Sequence, residues 1–401
     1  MGQHKKTAMK YTQCFFFLCG LGLGVALAGL AEGHEAAGRF PHSVPLGDFN
    51  ADGHLDMAVA ASAERKITVL LGDGKGGVAS NHSYGVGRGP IWVTSGDLNG
   101  DGHADLVSTN SGAGSVTLYM SDGKGGFGGR RDLKAFKAPV AAVVGDFDQD
   151  GRMDLAVADT LLSRVLILRG DGKGGFTPVG EYASGRRPHI LAGADLNKDG
   201  LIDLIVTSLG QHTLSVLIGK GDGTFQPPKA FKVGRFPHYM AIADFTGDGH
   251  PDVTAVCAGE DAVFLLAGDG RGNLQQLAKY ETGVNPHPVA TADFDGDGHW
   301  DLVVGNRSTK DLTILKGDGK GAFTRLPGVK LPDDPIVLAT GDFNEDGIPD
   351  LALIFASLHA VGIYRGDGKG GFAPMREGGR SGRPLPSRSL VGTDTRSPGN
   401  S

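Results

Sequence analysis

Residues 48–56 read DFNADGHLD. Taken alone this is an acidic turn, because Asp, Asn and Gly tolerate left-handed backbone and bond their own main chain. The nonapeptide recurs, however, as DLNGDGHAD from Asp97, DFDQDGRMD from Asp146, DLNKDGLID from Asp195, DFTGDGHPD from Asp244, DFDGDGHWD from Asp293 and DFNEDGIPD from Asp342. Each copy starts 49 residues after the one before, with no insertion or deletion, so a fixed internal period governs the chain.

The surroundings repeat with it. A proline stands seven residues ahead of each loop, at Pro41, Pro90, Pro139, Pro188, Pro237, Pro286 and Pro335. A glycine-rich turn follows downstream, GDGKGG from Gly72 in the first copy, and an apolar residue closes it: Val78, Phe127, Phe176, Phe225, Leu274, Phe323 or Phe372. Between turns lie short runs rich in Val, Ile, Leu and Thr, with no 3.6-residue period to compete, and these read as strands. Four short antiparallel strands per unit, each unit too small to bury a core alone, describe a propeller blade. The expected fold is therefore all-β: a seven-bladed β-propeller of four-stranded antiparallel blades over residues 32–383. An open stack would expose two sheet edges, so a closed ring is expected. The chain before Pro41 matches the segments before the later prolines, and Pro384 keeps the phase. One chain end is thus expected to complete the blade begun by the other.

Glycine supplies 67 of 401 residues, which without a collagen period fits many tight turns. Lys5, Lys6 and Lys10 precede the apolar run CFFFLCGLGLGVALAGLA, the pattern of a secretory signal peptide over residues 1–31. A retained single anchor is the alternative; no other stretch is apolar enough to span a bilayer. Loss of the signal leaves Cys257 as the only cysteine, so no intrachain disulfide is available to a secreted chain. Residues 384–401 are rich in Ser, Pro and Gly and read as a disordered tail. A monomer without nucleic-acid partners is expected.

The loops carry the chemistry. Asp fills positions one, five and nine in every copy: Asp48, Asp52 and Asp56; Asp97, Asp101 and Asp105; Asp146, Asp150 and Asp154; Asp195, Asp199 and Asp203; Asp244, Asp248 and Asp252; Asp293, Asp297 and Asp301; Asp342, Asp346 and Asp350. Position three is Asn50, Asn99, Asp148, Asn197, Thr246, Asp295 or Asn344, always a side chain with oxygen. Position six is always Gly, which permits the sharp turn. Calcium takes six to eight hard oxygen ligands at roughly 2.3–2.6 Å. Side chains at positions one, three, five and nine, with the backbone carbonyl of position seven (His54, His103, Arg152, Leu201, His250, His299, Ile348), can wrap one ion. An EF-hand is excluded, because its loop has twelve residues and ends in a bidentate Glu, whereas the twelfth positions here are Val59, Ser108, Val157, Val206, Ala255, Val304 and Leu353. The ligand positions hold 23 of the 45 acidic residues, clusters that repel one another without a cation. Up to seven structural Ca²⁺ are expected, standing in for the missing disulfides.

A proline seven residues ahead of D-F-N-x-D-G-x-x-D, followed by G-D-G-K-G-G-F, resembles the FG-GAP/VCBS repeat family and the N-terminal propeller of integrin α chains. The resemblance spans the whole repeated region. It implies a seven-bladed propeller with calcium between the first and second strands, secretion or surface exposure, and a binding or adhesion role. All seven repeats carry the loop here, whereas integrin chains carry it in some.

The calcium loops and glycine-rich turns should share one face. The opposite face carries the variable loops between second and third strands, where recognition of a carbohydrate or protein ligand is expected. There a His follows Pro at His42, His189, His238 and, as NPHP, His287, beside Arg39, Arg186, Arg187 and Arg235. These side chains either hold an anionic group such as a uronic acid, or are inherited strand caps. The lysines of the GDGKGG turns keep an edge soluble rather than forming a P-loop, since no helix follows. No G-x-S-x-G, H-E-x-x-H or C-x-x-C occurs. A lyase or hydrolase acting on acidic polysaccharide at the channel rim remains the alternative to a binding module.

Overall fold

The computed structural model describes residues 43–62, 64–356 and 360–375. The signal segment, Arg39, Pro41, His42 and the tail lie outside the described residues.

Blade 6 shows how one repeat folds. Its strands are Pro286–Ala292, Asp301–Asn306, Asp311–Gly317 and Phe323–Lys330. They pair in order and antiparallel, with Ala292 facing Asp301 across the acidic loop, Asn306 facing Asp311, and Gly317 facing Phe323 across the glycine-rich turn. Seven such four-stranded sheets make up the protein, each in simple sequence order. The second strands, for example Asp154–Asp159 (DLAVAD) and Asp203–Ser208 (DLIVTS), are buried at all six positions. Neighbouring blades cover both of their faces, so these strands are continuously apolar in the middle rather than alternating. From blade 2 to blade 7 the first strands touch their counterparts in the adjacent blades and therefore line the axis. The fourth strands form the exposed perimeter. Pro227 and Pro228 shorten that of blade 4 to Lys229–Lys232, because proline cannot donate to the ladder.

The seams are built from the repeated turns. Position two of each acidic loop (Phe49, Leu98, Phe147, Leu196, Phe245, Phe294, Phe343) is buried. In blades 1, 3, 5 and 6 its ring meets, nearly perpendicular, the aromatic closing the next blade's turn, as in Phe147–Phe225 at 5.6 Å. Its carbonyl accepts a bond from that same turn: Gly125 N–H to Phe49 O at 2.9 Å, Gly223 N–H to Phe147 O at 3.0 Å, Gly321 N–H to Phe245 O at 2.9 Å. At alternate seams the hydroxyl of Tyr84, Tyr182 or Tyr280 also accepts the N–H of Phe127, Phe225 or Phe323.

Among the described residues the ring closes by this bond. Gly76 N–H of blade 1 donates to Phe343 O of blade 7 at 2.8 Å, and His54 Nδ1 bonds Glu345 Oε1 across the same seam. Among the described residues the first and last sheets each consist of four consecutive strands; the segments expected to complete a blade, residues 34–40 and those after Met375, lie outside the described residues.

Candidate metal centre and the opposite face

Each acidic loop is shaped first by its own carboxylates. Asp48 Oδ1 accepts from Asp52 N–H at 3.1 Å and Oδ2 from Gly53 N–H at 2.8 Å. The same pair of bonds recurs at Asp97, Asp146, Asp195, Asp293 and Asp342. Asn50 Oδ1 accepts from Asp52 N–H at 3.0 Å, and Asp52 Oδ1 from His54 N–H at 2.9 Å. Backbone N–H bonds of this kind favour the ionised form: the His103 N–H holds Asp101 below the usual carboxylate range. The chain turns left-handed at position four and again at the invariant Gly of position six, where φ is 82–91°. Position four is Gly in three loops but Ala51, Gln149, Lys198 and Glu345 in the others, at φ between 58° and 61°.

Position nine does something different. It is the first residue of the second strand and is buried in every blade. Asp203 Oδ2 accepts from Leu196 N–H at 2.9 Å and Oδ1 from Gly219 N–H at 2.7 Å. All seven copies make both bonds, tying the start of the acidic loop to the end of the third strand. The strands approach so closely that a Cβ on Gly170 would lie 2.1 Å from Met153 O. Burial pushes the carboxyls of Asp105, Asp203 and Asp301 up to about 6. Invariance alone marked this Asp as a ligand. Its clamp was not visible, because its second partner lies 16 residues away.

The donors fit a hard divalent cation. They are oxygens only, and in the loops of blades 3 and 6 three of them (Asp146, Asp148 and Asp154; Asp293, Asp295 and Asp297) each offer a ligand atom within 4.8 Å of the others, beside a basic side chain, Arg169 or Lys316, that already contacts them. That span equals twice a bond of about 2.4 Å. In such a site positions one, three and five would hold calcium on the solvent side, with position nine behind them, and the ion would supply the charge that keeps four carboxylates together. Position seven stacks on the glycine-rich turn of its own blade: a Cβ on Gly74 or Gly123 would strike the His54 or His103 ring. The two turns therefore share a face. A cavity of about 860 Å³ opens on that side of the axis, lined by both tryptophans, Trp92 and Trp300, with Thr94, Asp97, His103 and Asp342 among its walls. The tethering of Asp73 and its equivalents, whose Oδ1 accepts from Lys75 and Gly77 N–H at 2.8 Å, gives the GDGKGG turns a structural role.

On the opposite face the lead-in segments pair with the variable loops, as in Gly210 N–H to Arg186 O and Gly259 N–H to Arg235 O, both 3.0 Å. His189, His238 and His287, from blades 4, 5 and 6, form one row. The His189 and His238 rings meet edge to face at 5.0 Å, and His238 stacks on His287 at 4.1 Å. His189 Nδ1 bonds His238 O at 3.0 Å. Shielding by these neighbours pushes His189 down to about 4, and burial lowers His238 well below its usual value. At neutral pH the positive charge on this rim therefore comes from the arginines. Arg186 is exposed, whereas Arg235 Nη2 is spent on Gly259 O at 2.6 Å.

The depressed His189 fixes a sign. Between pH 6.5 and about 4 the unfolded chain takes up a proton and the folded one does not, so stability present above 6.5 is lost on acidification. Relative to His189→Gln, the native protein should lose about 2 kcal/mol between pH 7 and pH 4.5 in urea titrations. Parallel pH curves for the two proteins would refute the shielding.

Seven sheets around an axis, with an acidic loop at every seam, define a repeat-built propeller whose ring is punctuated by cation-ready turns. The family pattern described as FG-GAP-like repeat matches residues 48–108, 97–157, 146–206, 195–255, 244–304 and 293–353, and the chain belongs to the FG-GAP repeat family. No curated protein sequence matches it. Among solved structures it is similar to a putative 6-phosphogluconolactonase from Bacteroides fragilis (16% identity, TM-score 0.61, covering 81% of this chain and 94% of that one). An Agrocybe aegerita lectin that recognises non-reducing terminal N-acetylglucosamine is similar at 19% identity and TM-score 0.54, over 77% and 87% of the two chains. The periplasmic gluconolactonase of Pseudomonas aeruginosa follows at 16% and 0.52, over 79% and 97%. At these identities the likeness concerns the fold.

Proposed function

We propose that the protein is a secreted or cell-surface binding module, a propeller stabilised by calcium in its acidic loops that presents the opposite face to a carbohydrate ligand. The observation that carries this reading is where the large apolar side chains are exposed. Among the described residues four of the six exposed large apolar side chains, Phe236 (42% exposed), Val284 (48%), Leu161 (72%) and Leu162 (42%), lie in lead-in segments or variable loops of that face, in blades 5, 6 and 3; the other two, Val179 and Leu277, lie on fourth strands of the perimeter. Phe236 stands nearly perpendicular to His212 at 5.0 Å, and the exposed Arg186 bonds through its backbone N–H to Oε1 of Gln211, the residue before His212. A flat apolar ring beside a cation suits the C–H face and acidic substituent of a uronic-acid sugar. The resemblance to a propeller lectin supports the class, and the signal-like N-terminus supports the compartment. A protein ligand is the other occupant the same surface would accept.

A glycan array with and without calcium tests the reading. Acidic oligosaccharides should bind, and Phe236→Ser with Arg186→Ala should weaken them at least tenfold while melting like the parent. Equal affinity in the double variant would remove this face from consideration. The axial cavity beside Trp92 and Trp300 favours the second reading, a lyase or hydrolase. Release of products from acidic polysaccharide in the same samples would favour that enzyme over the module.

A further inference from the structure

The seven acidic loops fall into two kinds, and the difference is written on a neighbouring strand. Immediately before each glycine-rich turn the chain carries Leu71, Met120, Arg169, Ile218, Ala267, Lys316 and Arg365. Where this residue is basic, its side chain is seated in the loop of its own blade. Arg169 Nε lies 2.7 Å from Asp148 Oδ2. Lys316 Nζ lies 2.9 Å from Asp297 Oδ2 and also contacts Asp295 Oδ2. Arg365 reaches Asp346 Oδ2 with Nε at 3.0 Å and Nη2 at 2.7 Å. These are sheltered pairs at the two Asp-bearing third positions, where the Asp148 and Asp295 side chains are only 9% and 10% exposed. Among the described residues no lysine or arginine pairs with a loop carboxylate of blades 1, 2, 4 or 5.

The nonapeptides divide in the same way. DFDQDGRMD, DFDGDGHWD and DFNEDGIPD, in blades 3, 6 and 7, each contain a fourth acidic residue. The loops of blades 1, 2, 4 and 5 contain three. Every loop with the extra acid faces a basic residue, and every loop without it faces Leu71, Met120, Ile218 or Ala267. In blades 3 and 6 the base contacts the extra acid itself, whereas in blade 7 Arg365 contacts Asp346 and the extra acid, Glu345, bonds His54 across the seam. The two loops in which three carboxylates have drawn within 4.8 Å of one another, in blades 3 and 6, both already hold a basic side chain.

We propose that blades 3, 6 and 7 carry their own cation, and that only the loops of blades 1, 2, 4 and 5 take a divalent ion. This rests on the calcium reading above. A tethered ammonium or guanidinium is already in place beside the carboxylates and gives up no translational freedom on pairing. A calcium ion entering such a loop must displace it into solvent or accept a like charge beside it. In blades 1, 2, 4 and 5 the facing side chain is apolar, and the carboxylates of the loop have no internal substitute.

Calcium counting on the full chain tests this. Equilibrium dialysis with radioactive calcium, on protein whose circular dichroism is native, should give four ions per chain. Lys316→Met should raise the count to five. Met120→Lys, which introduces a tethered cation into blade 2, should lower it to three; the two variants act in opposite directions, so loss of folding in one leaves the other decisive. Seven ions in the unaltered protein, or a count that neither variant moves, would overturn the division into two kinds while leaving calcium binding intact. No bound calcium in any of the three proteins would overturn the calcium reading itself and the division with it.

Discussion

Asp203→Ala is expected to lower folding stability by about 3 kcal/mol, with most of the loss persisting in EDTA. The substitution leaves the buried N–H groups of Leu196 and Gly219 without acceptors, and each such loss costs about 1–3 kcal/mol. Part is returned, because a carboxyl pushed up to about 6 is held ionised at neutral pH against the pull of burial. The informative comparison is Asp199→Ala in the same loop. Its carboxylate caps only Leu201 N–H and accepts from Asn197, both near the surface. That variant should melt close to the parent in EDTA and lose only the response to calcium. A three-way urea titration in chelator reads both. An Asp203→Ala protein within 1 kcal/mol of the parent would show that position nine does not hold the loop to the third strand.

Removing calcium is the second large effect. Extracellular modules bind it at roughly 10⁻⁴–10⁻³ M. At about 1 mM ion and a dissociation constant near 0.1 mM, each occupied loop adds about 1.4 kcal/mol. Four loops then add between about 5 and 6 kcal/mol, or about 8 °C in Tm for a ring of this size, given about 2.1 cal/mol/K of unfolding entropy per residue. Scanning calorimetry in calcium and in EDTA measures the shift. It should shrink at pH 5. Asp105 and Asp203, in two of the four loops, have folded values near 6 against 3.8 unfolded, so the metal-free fold binds protons the unfolded chain does not and gains stability as pH falls. Protons thereby do part of what calcium does. An identical melt in EDTA would leave the loops as turns and nothing more.

The blade plan was legible because every unit states it locally. Turn residues, a 49-residue spacing and apolar runs of strand length sit within one repeat, and nothing distant is needed to read them. What escaped the sequence was whatever depends on two separated segments meeting. Gly76 and Phe343, separated by almost the whole repeated sequence, bond at the seam that closes the ring. The position-nine clamp requires the third strand to have folded back. His189 and His238 were visible as a recurring pair, yet their neutrality follows from stacking against each other, which spacing does not encode. The counter-charges Arg169, Lys316 and Arg365 were present in plain view. They became meaningful only once the third strand was seen to run beside the loop.

The joint between the last blade and the first uses the same glycine-to-carbonyl bond as other joints around the circle. The molecule consequently has no built-in beginning. A gene rearranged to start at blade 3 and finish at blade 2, with a linker between the old ends, should encode the same ring.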